Sequence, residues 1–173
     1  MNLTIKKMKT PEEIEGKSLV HWQTWREAYD DLLPAEFQET MTLERCRFFS
    51  QKYPENTLIA IDGMKVVGFI SYGNFRNETI QAGEIIALYV LKDYYGKGIA
   101  QKLMTEALST LEHFSEIFLW VLKENKRAIA FYQKMGFTVD GQEKILELGK
   151  PIIEIRMVFK SSTKSESKMQ GQL

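Results

Sequence analysis

Hydrophobic positions follow two different periods along the chain, and the two alternate almost to its end. Alternating or continuous apolar runs predict strands at residues 3–8, in TLIAID and KVVGFISY on either side of Gly63, and in two segments after Phe137 that end with IIEIRMVF. Residues 85–91 and 117–122 are almost wholly apolar, which is typical of central strands covered on both faces. These runs predict a sheet at the centre of the molecule.

The N-terminal part predicts helices between the strands. Thr10, Pro11 and two glutamates have the cap, the first-turn proline and the acidic start of a helix that extends to about Asp30. Pro34 opens a second helical stretch toward Tyr53. Two helical segments therefore precede the hairpin around residue 63.

The C-terminal half predicts two more helices, over residues 99–111 and 128–135, the second of which ends at Gly136. This order predicts a mixed α/β sandwich. No internal repeat or Pro/Gly-rich linker divides it, so we expect one domain over residues 1–160. Residues 161–173 are expected to form a disordered tail, because so polar a segment cannot bury enough surface to offset the entropy of ordering.

Composition narrows the classes of function. Twenty-three basic residues balance twenty-three acidic ones, so no overall field directs the protein to nucleic acid or to an anionic membrane. The single cysteine, Cys46, cannot form an internal disulfide, and the absence of a Cys/His cluster argues against a metal site. No segment approaches the roughly 20 apolar residues that span a bilayer, and none has signal-peptide character. We expect a cytoplasmic protein that holds any anionic ligand locally.

A glycine-containing turn, YYGKGIA, joins the central strand to the next helix. Gly96, Gly98 and the small Ala100 precede backbone N–H groups without intrahelical partners, a setting that favours phosphate, and Lys97 adds a mobile charge. A dinucleotide fingerprint needs a third glycine where Gln101 stands, and the Gly-Lys-Ser/Thr of a P-loop is absent. Two glycines alone are also compatible with a tight turn that binds nothing.

Two segments resemble the GCN5-related N-acetyltransferases (GNAT). The run 84–111 looks like the family's central motif, whose pyrophosphate loop reads Gln/Arg-x-x-Gly-x-Gly/Ala; Gly98 and Ala100 match its last two positions, and Tyr95 stands where Gln or Arg is usual. The segment 125–137, NKRAIAFYQKMGF, is similar to the family's Asn-x-x-Ala-x-x-Phe-Tyr-x-x-x-Gly-Phe. Both occur in the expected order and separation.

This resemblance covers roughly residues 57–159 and implies the GNAT acyl-CoA N-acyltransferase fold, a mostly antiparallel mixed sheet flanked by helices. It implies acetyl-CoA as co-substrate, with the pyrophosphate held by backbone N–H groups of the loop and the acetyl group and pantetheine on the main chain of a kinked central strand. The cofactor-binding residues that it implies are Leu88, Tyr89, Val90, Tyr95, Gly96, Lys97, Gly98, Ile99, Ala100, Asn125 and Tyr132.

Three side chains are candidates for the chemistry. The resemblance implies that Tyr132 protonates the departing thiolate, and a phenol with a pKa of about 10 can protonate a thiolate whose acid has a pKa of about 8.5; the alternative is a tyrosine that only packs. Asn125 binds the pantetheine arm by the same resemblance, or only caps its helix. Glu84 opens the central strand and is either the catalytic base that takes the amine proton or a solvated edge residue.

Aromatic residues of the first helix are candidates for the acceptor site. Trp22, Trp25 and Tyr29 share one face, which is either core or a surface that holds an amine by cation–π contact, with charge from Glu27, Asp30 or Asp31. The substrate-binding residues are therefore expected to be Trp25, Tyr29 and Glu84. Neither the two histidines, His21 and His113, nor Cys46 is assigned chemistry.

The sequence thus predicts an acetyl-CoA-dependent N-acetyltransferase that acts by direct attack in a ternary complex. The expected acceptor is a small or flexible cationic amine of polyamine type; the α-amino group of a protein is the alternative. A non-catalytic acyl-CoA sensor and a nucleotide-binding regulator are rivals of other classes. Dimerisation through the last strands is common in the family, so a homodimer is a further expectation.

Overall fold

The computed structural model describes residues 2–29, 32–52, 56–77 and 79–161. Along them, three helices follow the first strand, three strands come next, and helices and strands then alternate up to a final pair of strands; within these ranges a single 3-10 turn, Lys92–Tyr94, follows the fourth strand. The elements are β1 Leu3–Lys7, α1 Pro11–Tyr29, α2 Ala35–Glu39, α3 Leu43–Lys52, β2 Thr57–Asp62, β3 Lys65–Asn74, β4 Gly83–Val90, α4 Ile99–Thr110, β5 Glu116–Leu122, α5 Lys126–Lys134, β6 Thr138–Glu147 and β7 Pro151–Lys160.

Within the described ranges, seven strands form one sheet in the order β1-β2-β3-β4-β5-β7-β6. Neighbouring strands run antiparallel except for β4 and β5, which are parallel. Helices flank this sheet, so the predicted mixed α/β fold with a mostly antiparallel sheet is confirmed.

The parallel pair β4 and β5 is joined over only three positions. Gly83, Glu84 and Ile85 pair with Ile117, Phe118 and Leu119, and no pairing follows. Beyond Ile85, strand β4 pairs on its other side with β3, through a register irregularity at Ser71 and Tyr72. The two central strands therefore separate over their C-terminal halves, and a cleft opens between them.

The core occupies the space between the sheet and its helices. Helix α4 inserts Leu103, Met104 and Ala107 among strand residues, and all three are fully buried. Helix α1 approaches β3 so closely at Gly16 that a Cβ there would lie 2.6 Å from Val66 Cγ2. The largest fully buried apolar side chains are Phe69, Phe137, Ile59, Ile70, Ile99, Leu103, Met104, Ile117, Leu119, Met157 and Val20.

Two sequence predictions differ from the structure. The helical stretch from Pro34 is divided into α2 and α3, because Thr40 bonds back to Phe37 O and Thr42 Oγ1 accepts the Arg45 N–H at 3.1 Å to cap a new helix. The central strand is not covered on both faces throughout: Ile86 is 45% exposed, since β5 has diverged at that point.

Some predictions fall outside the described residues. They concern Asp30 and Asp31 at the end of α1, Tyr53 at the end of the second helical stretch, and positions 162–173 of the expected tail. Among the helices of the described ranges, none combines the length and the apolar character that a membrane crossing requires.

Candidate active site

The gap between β4 and β5 is a cleft of about 640 Å³. It is bounded by β4, the glycine turn and α4 on one side, by β5, α5 and β7 on the other, and by the end of α1. Its lining includes Thr24, Glu27, Ala28, Tyr29, Ile86, Ala87, Leu88, Tyr89, Val90, Tyr94, Tyr95, Gly96, Gly98, Ile99, Ala100, Gln101, Trp120, Val121, Leu122, Asn125, Arg127, Ala128, Phe131, Tyr132 and Glu154.

The glycine turn forms one end of this cleft. Gly96 and Gly98 both have φ of +74°, and a Cβ added to either would meet nothing within 4 Å. Gly98 is the N-cap of α4 and no side chain caps the helix, so the first-turn N–H groups up to Gln101 have no intrahelical acceptor. Because the helix N-terminus carries partial positive charge, this end of the cleft suits a phosphate.

Two basic residues near the turn have different positions. Lys97, predicted to contact the cofactor, instead places Nζ 4.6 Å from the centre of the Tyr94 ring and is not part of the lining. Arg127, from the first turn of α5, stacks its guanidinium 3.8 Å from the centre of the Tyr95 ring, and both residues line the cleft. Tyr95 therefore takes part in holding a cation at the anion-binding end.

Helix α5 contributes Asn125 and Tyr132 to the lining. The Asn125 side chain accepts the Ala128 N–H at 3.1 Å, so it caps the helix and also borders the cleft. Burial, and then the neighbouring Tyr29, raise the pKa of the Tyr132 hydroxyl well above its ordinary value. In the described ranges no hydrogen bond joins that hydroxyl to another residue. It is therefore a protonated donor available to a bound molecule.

Strand β4 supplies the wall between these two ends. Leu88, Tyr89 and Val90 pair with Ile70, Phe69 and Gly68 of β3. Their opposite edge faces the cleft without a strand partner, because β5 has already diverged. Backbone groups along this edge are free to bond a ligand, as the sequence predicted for the thioester and pantetheine.

The aromatic face of α1 is only partly in the cleft. Tyr29 lines it and places its hydroxyl 3.3 Å from that of Tyr89, whereas Trp25 packs behind, with its ring centre 4.5 Å from that of Tyr29. Trp22 lies against Arg26, 5.5 Å from the guanidinium carbon. Glu27 does reach the lining. The structure thus brings Tyr29, but not Trp25, to the predicted acceptor site.

Glu84 is placed apart from the cleft lining. Its side chain is 1% exposed, and Arg76 binds it through Nη2 at 2.7 Å and Nε at 2.9 Å, with the Arg76 backbone N–H at 3.2 Å. The expectation of a solvated edge residue is wrong, because the carboxylate is buried. Glu84 also does not line the cleft with Tyr132 and Tyr29, and its oxygens bind the Arg76 guanidinium.

Three residues were assigned no chemistry from the sequence: His21, Cys46 and His113. Burial, and then the nearby Lys17, lower the pKa of His21 to about 4. Burial raises the pKa of the Cys46 thiol to about 11. His113 stacks on Phe114, 4.1 Å between ring centres, and neither residue borders the cleft.

The lining residues that the sequence analysis missed include Arg127, Trp120 and Glu154. Arg127 had a usable signal, since it lies two positions after Asn125 in the matched segment. Trp120 and Glu154 had none, because they belong to strands whose register alone turns them toward the cleft.

Comparison with known proteins is consistent with this geometry. The profile of the Acetyltransferase (GNAT) family matches residues 22–137. The chain belongs to the GNAT family. It is 30% identical over 147 residues to the peptidyl-lysine N-acetyltransferase YjaB of Escherichia coli, covering 84% of this chain and 90% of the relative. It is 29% identical to N-alpha-acetyltransferase 30 of Schizosaccharomyces pombe, over 61% of this chain and 73% of the relative.

A solved structure repeats the architecture. The PaiA N-acetyltransferase of Thermoplasma acidophilum, determined in complex with coenzyme A, superposes with a TM-score of 0.71 at 24% identity and covers 92% of this chain and 99% of its own. This GNAT protein is thus an acetyl-CoA-dependent N-acetyltransferase, and the cleft between β4 and β5 is its candidate active site. Family membership favours this activity over the nucleotide-binding alternative.

Proposed function

We propose that this N-acetyltransferase acetylates a flexible cationic primary amine, such as a lysine side chain or a polyamine, by direct attack in a ternary complex. The observation that carries the proposal is the Tyr132 hydroxyl, which borders the same cleft as the α4 N-terminus and as the carboxylates of Glu27 and Glu154. The α4 N-terminus, two carboxylates and one phenol hydroxyl thus border a single cleft.

The cofactor is proposed to lie along β4. Its pyrophosphate would bond the first-turn N–H groups of α4, with Arg127 supplying positive charge from the opposite wall. The pantetheine arm would follow the unpaired edge of Leu88 to Val90 past Asn125. This path leads from the glycine turn toward Tyr132.

In the proposed reaction, the neutral amine attacks the thioester carbonyl, a C–N bond forms and the C–S bond breaks. A backbone N–H of β4 would stabilise the oxyanion, and Tyr132 would give its proton to the departing thiolate. The proton that the amine nitrogen loses as the amide forms would pass to water in the cleft, from which Tyr132 would be reprotonated. Glu84 has no role in this proposal, because its carboxylate is bound by Arg76. Tyr29 and Tyr89, whose hydroxyls are 3.3 Å apart, border the region where the amine would approach.

The identity of the acceptor has two sources of support. Glu27 and Glu154 give the acceptor end negative charge, and YjaB acts on peptidyl lysine, which presents a flexible cationic amine. The relative from Schizosaccharomyces pombe is an N-alpha-acetyltransferase, so the α-amino group of a peptide is a second candidate.

The deciding experiment is a thiol-release assay with acetyl-CoA against polyamines, N-terminally blocked lysine peptides, lysine-free peptides with a free N-terminus, amino acids and aminoglycosides. Calorimetric binding of coenzyme A is measured in parallel. Turnover with polyamines or blocked lysine peptides supports the proposal, and turnover with lysine-free peptides alone supports the second candidate. Coenzyme A binding without turnover on any amine indicates the sensor instead.

A further inference from the structure

The outer edge of the acceptor end is formed by two neighbouring strands. Trp120 of β5 and Glu154 of β7 both line the cleft, and neither is part of the cofactor path described above. In the sheet register, Glu154 lies opposite Leu122 on one side and directly opposite Lys144 of β6 on the other. An aromatic ring and a carboxylate from neighbouring strands thus both border the acceptor end of the cleft.

The ammonium of Lys144 lies between that ring and that carboxylate. Its Nζ is 2.9 Å from Glu154 Oε2 and 4.2 Å from the centre of the Trp120 ring. A carboxylate on one side and the face of an indole on the other are the two groups that bind an organic ammonium most strongly in proteins. The chain's own lysine therefore shows that this position accepts a primary ammonium.

The charge of Glu154 also acts inside the cleft. Burial raises the pKa of the Tyr29 hydroxyl, and the negative charge of Glu154 raises it further. Only Oε2 is paired with Lys144, and across the described ranges no other donor hydrogen-bonds this carboxylate, although Arg76 lies near enough for the charge of Glu154 to raise its pKa. The carboxylate is therefore placed to serve a second cation that approaches from the cleft.

We propose that Trp120 and Glu154 form a cation site for a second positive charge on the acceptor, and that Lys144 competes for this site. The inference rests on the proposed acetylation of a cationic amine and specifies its acceptor as dicationic: a diamine, or a lysine with a basic neighbour. Glu154 is here a specificity-determining residue, and Lys144 lowers the affinity for dicationic acceptors, because their second ammonium must displace it from the site.

The competing explanation is a purely structural cross-strand ion pair. Lys144 is 37% and Glu154 18% exposed, so such a pair contributes little to folding stability. It would leave the choice of acceptor unchanged when either residue is replaced. The two explanations therefore predict different ratios of kcat/KM for a dicationic and a monocationic acceptor, and this ratio can be measured.

The test compares 1,5-diaminopentane with pentylamine, which differ by the second ammonium. The ratio of their kcat/KM values is measured by thiol release for the wild type, Glu154→Gln and Lys144→Met. Lys123→Met is the matched control, because it also removes a lysine that forms an ion pair. The Nζ of Lys123 lies 2.7 Å from Glu143 Oε1, and neither residue lines the cleft. Calorimetric titration of the diamine into the coenzyme A complex gives a readout that is independent of turnover.

We expect the wild type to prefer the diamine, Glu154→Gln to lower that preference about tenfold, and Lys144→Met to raise it about threefold. Lys123→Met should leave it unchanged. A residue that merely accepted the amine proton would affect both amines equally, so an unchanged ratio in Glu154→Gln and Lys144→Met overturns the inference. Absence of diamine binding to the coenzyme A complex overturns it too, whereas absence of any amine-dependent turnover contradicts the proposed function itself.

Discussion

The two ends of the cleft are built in different ways. The cofactor end is made of backbone: the glycine turn, the first turn of α4 and the unpaired edge of β4. The acceptor end is made of side chains from α1, β5 and β7, which include Tyr29, Trp120 and Glu154. The cofactor end is specified by short segments of sequence. The acceptor end is specified by the register of strands that are distant in the sequence.

This difference separates what the enzyme shares with its relatives from what can set its substrate. In the proposed binding mode, backbone N–H groups hold the pyrophosphate, so Tyr95 can stand where the family's motif has Gln or Arg, and Arg127, stacked on that ring, would supply a cation. Side chains on strands can be exchanged without altering the sheet. Variants at the two ends should therefore fail differently.

The largest effect is expected where the two ends meet. Tyr132→Phe should lower kcat about 1000-fold while leaving the affinity for coenzyme A unchanged, because only the proton for the thiolate is lost. Since burial raises the pKa of Tyr132, the hydroxyl stays protonated at alkaline pH, and wild-type kcat should not decline between about pH 7 and 10 through loss of this proton. Thiol-release kinetics and calorimetry measure both quantities.

Tyr72→Phe is the control for that variant. The Tyr72 hydroxyl is buried, has no hydrogen-bond partner among the residues that the structure describes, and does not line the cleft. Its removal should leave kcat unaltered. A parallel loss of coenzyme A binding in Tyr132→Phe would show that the ring positions the cofactor rather than donating a proton.

The second effect concerns the cofactor end alone. Gly98→Val should weaken coenzyme A binding about 100-fold, because a side chain at φ +74° costs roughly 1–2 kcal/mol and projects toward the cleft. Gly63→Val is the matched control: its φ is +63° and a Cβ there also meets nothing within 4 Å, but it lies in the β2–β3 turn. An equal loss of coenzyme A binding in Gly98→Val and Gly63→Val would show that backbone strain, not a blocked approach of the cofactor, causes the effect.

The third effect tests whether Glu84 belongs to the acceptor end. Arg76→Met leaves a buried carboxylate without its guanidinium and should lower the free energy of unfolding by about 2 kcal/mol, less than for a fully buried pair because Arg76 is 65% exposed. Glu84→Gln should likewise destabilise but keep kcat near the wild-type value. Denaturant unfolding measures the loss of stability and steady-state kinetics measures kcat. A large loss of kcat in a stably folded Glu84→Gln variant would show that Glu84 is the catalytic base after all.

The smallest effect concerns the helix that carries Tyr29. Lys17 is buried between α1 and α3, with Nζ 3.1 Å from Ser50 Oγ and 4.6 Å from the centre of the Phe69 ring. Burial lowers its pKa from 10.5 to about 8. Between these values the unfolded chain holds a proton that the folded chain has released, so stability should increase as pH rises through this window.

Denaturant unfolding at pH 7.5 and 9.5 measures this increase. The wild type should gain about 1–2 kcal/mol relative to Lys17→Met over that interval. Below pH 8 both states carry the proton, and the cost of the buried charge should make Lys17→Met the more stable protein. A pH-independent difference between the two would mean that Lys17 keeps its ordinary pKa.

Much of the cofactor end could be predicted from the sequence. The strand, the glycine turn and the amphipathic helix follow each other within residues 83–110, so local periodicity and glycine content were sufficient. The placement of Asn125 and Tyr132 was equally predictable, because Asn125 caps the short helix α5 and Tyr132 lies on it. A contact from Lys97 to the cofactor stays a prediction: its Nζ lies over the Tyr94 ring and its side chain is not part of the cleft lining.

The acceptor end could not be predicted in the same way. Trp25 and Tyr29 share a helical face, but the packing of α1 on the sheet puts one behind the other. Trp120 and Glu154 are 34 positions apart, and Lys144 joins them only through the pairing of β6 with β7. The cleft opens because β4 and β5 separate. No local sequence pattern predicts which face of a neighbouring strand will border it.

The sequence by itself determined the order of strands and helices, the glycines that permit a left-handed turn, and the place of Tyr132 on α5. These depend on backbone conformation and on periodicity within a few residues. The tertiary structure decided how far β4 and β5 pair, that Arg76 holds Glu84, and which side chains face the acceptor. Such features depend on contacts between distant segments, whose geometry exists only after the sheet has assembled.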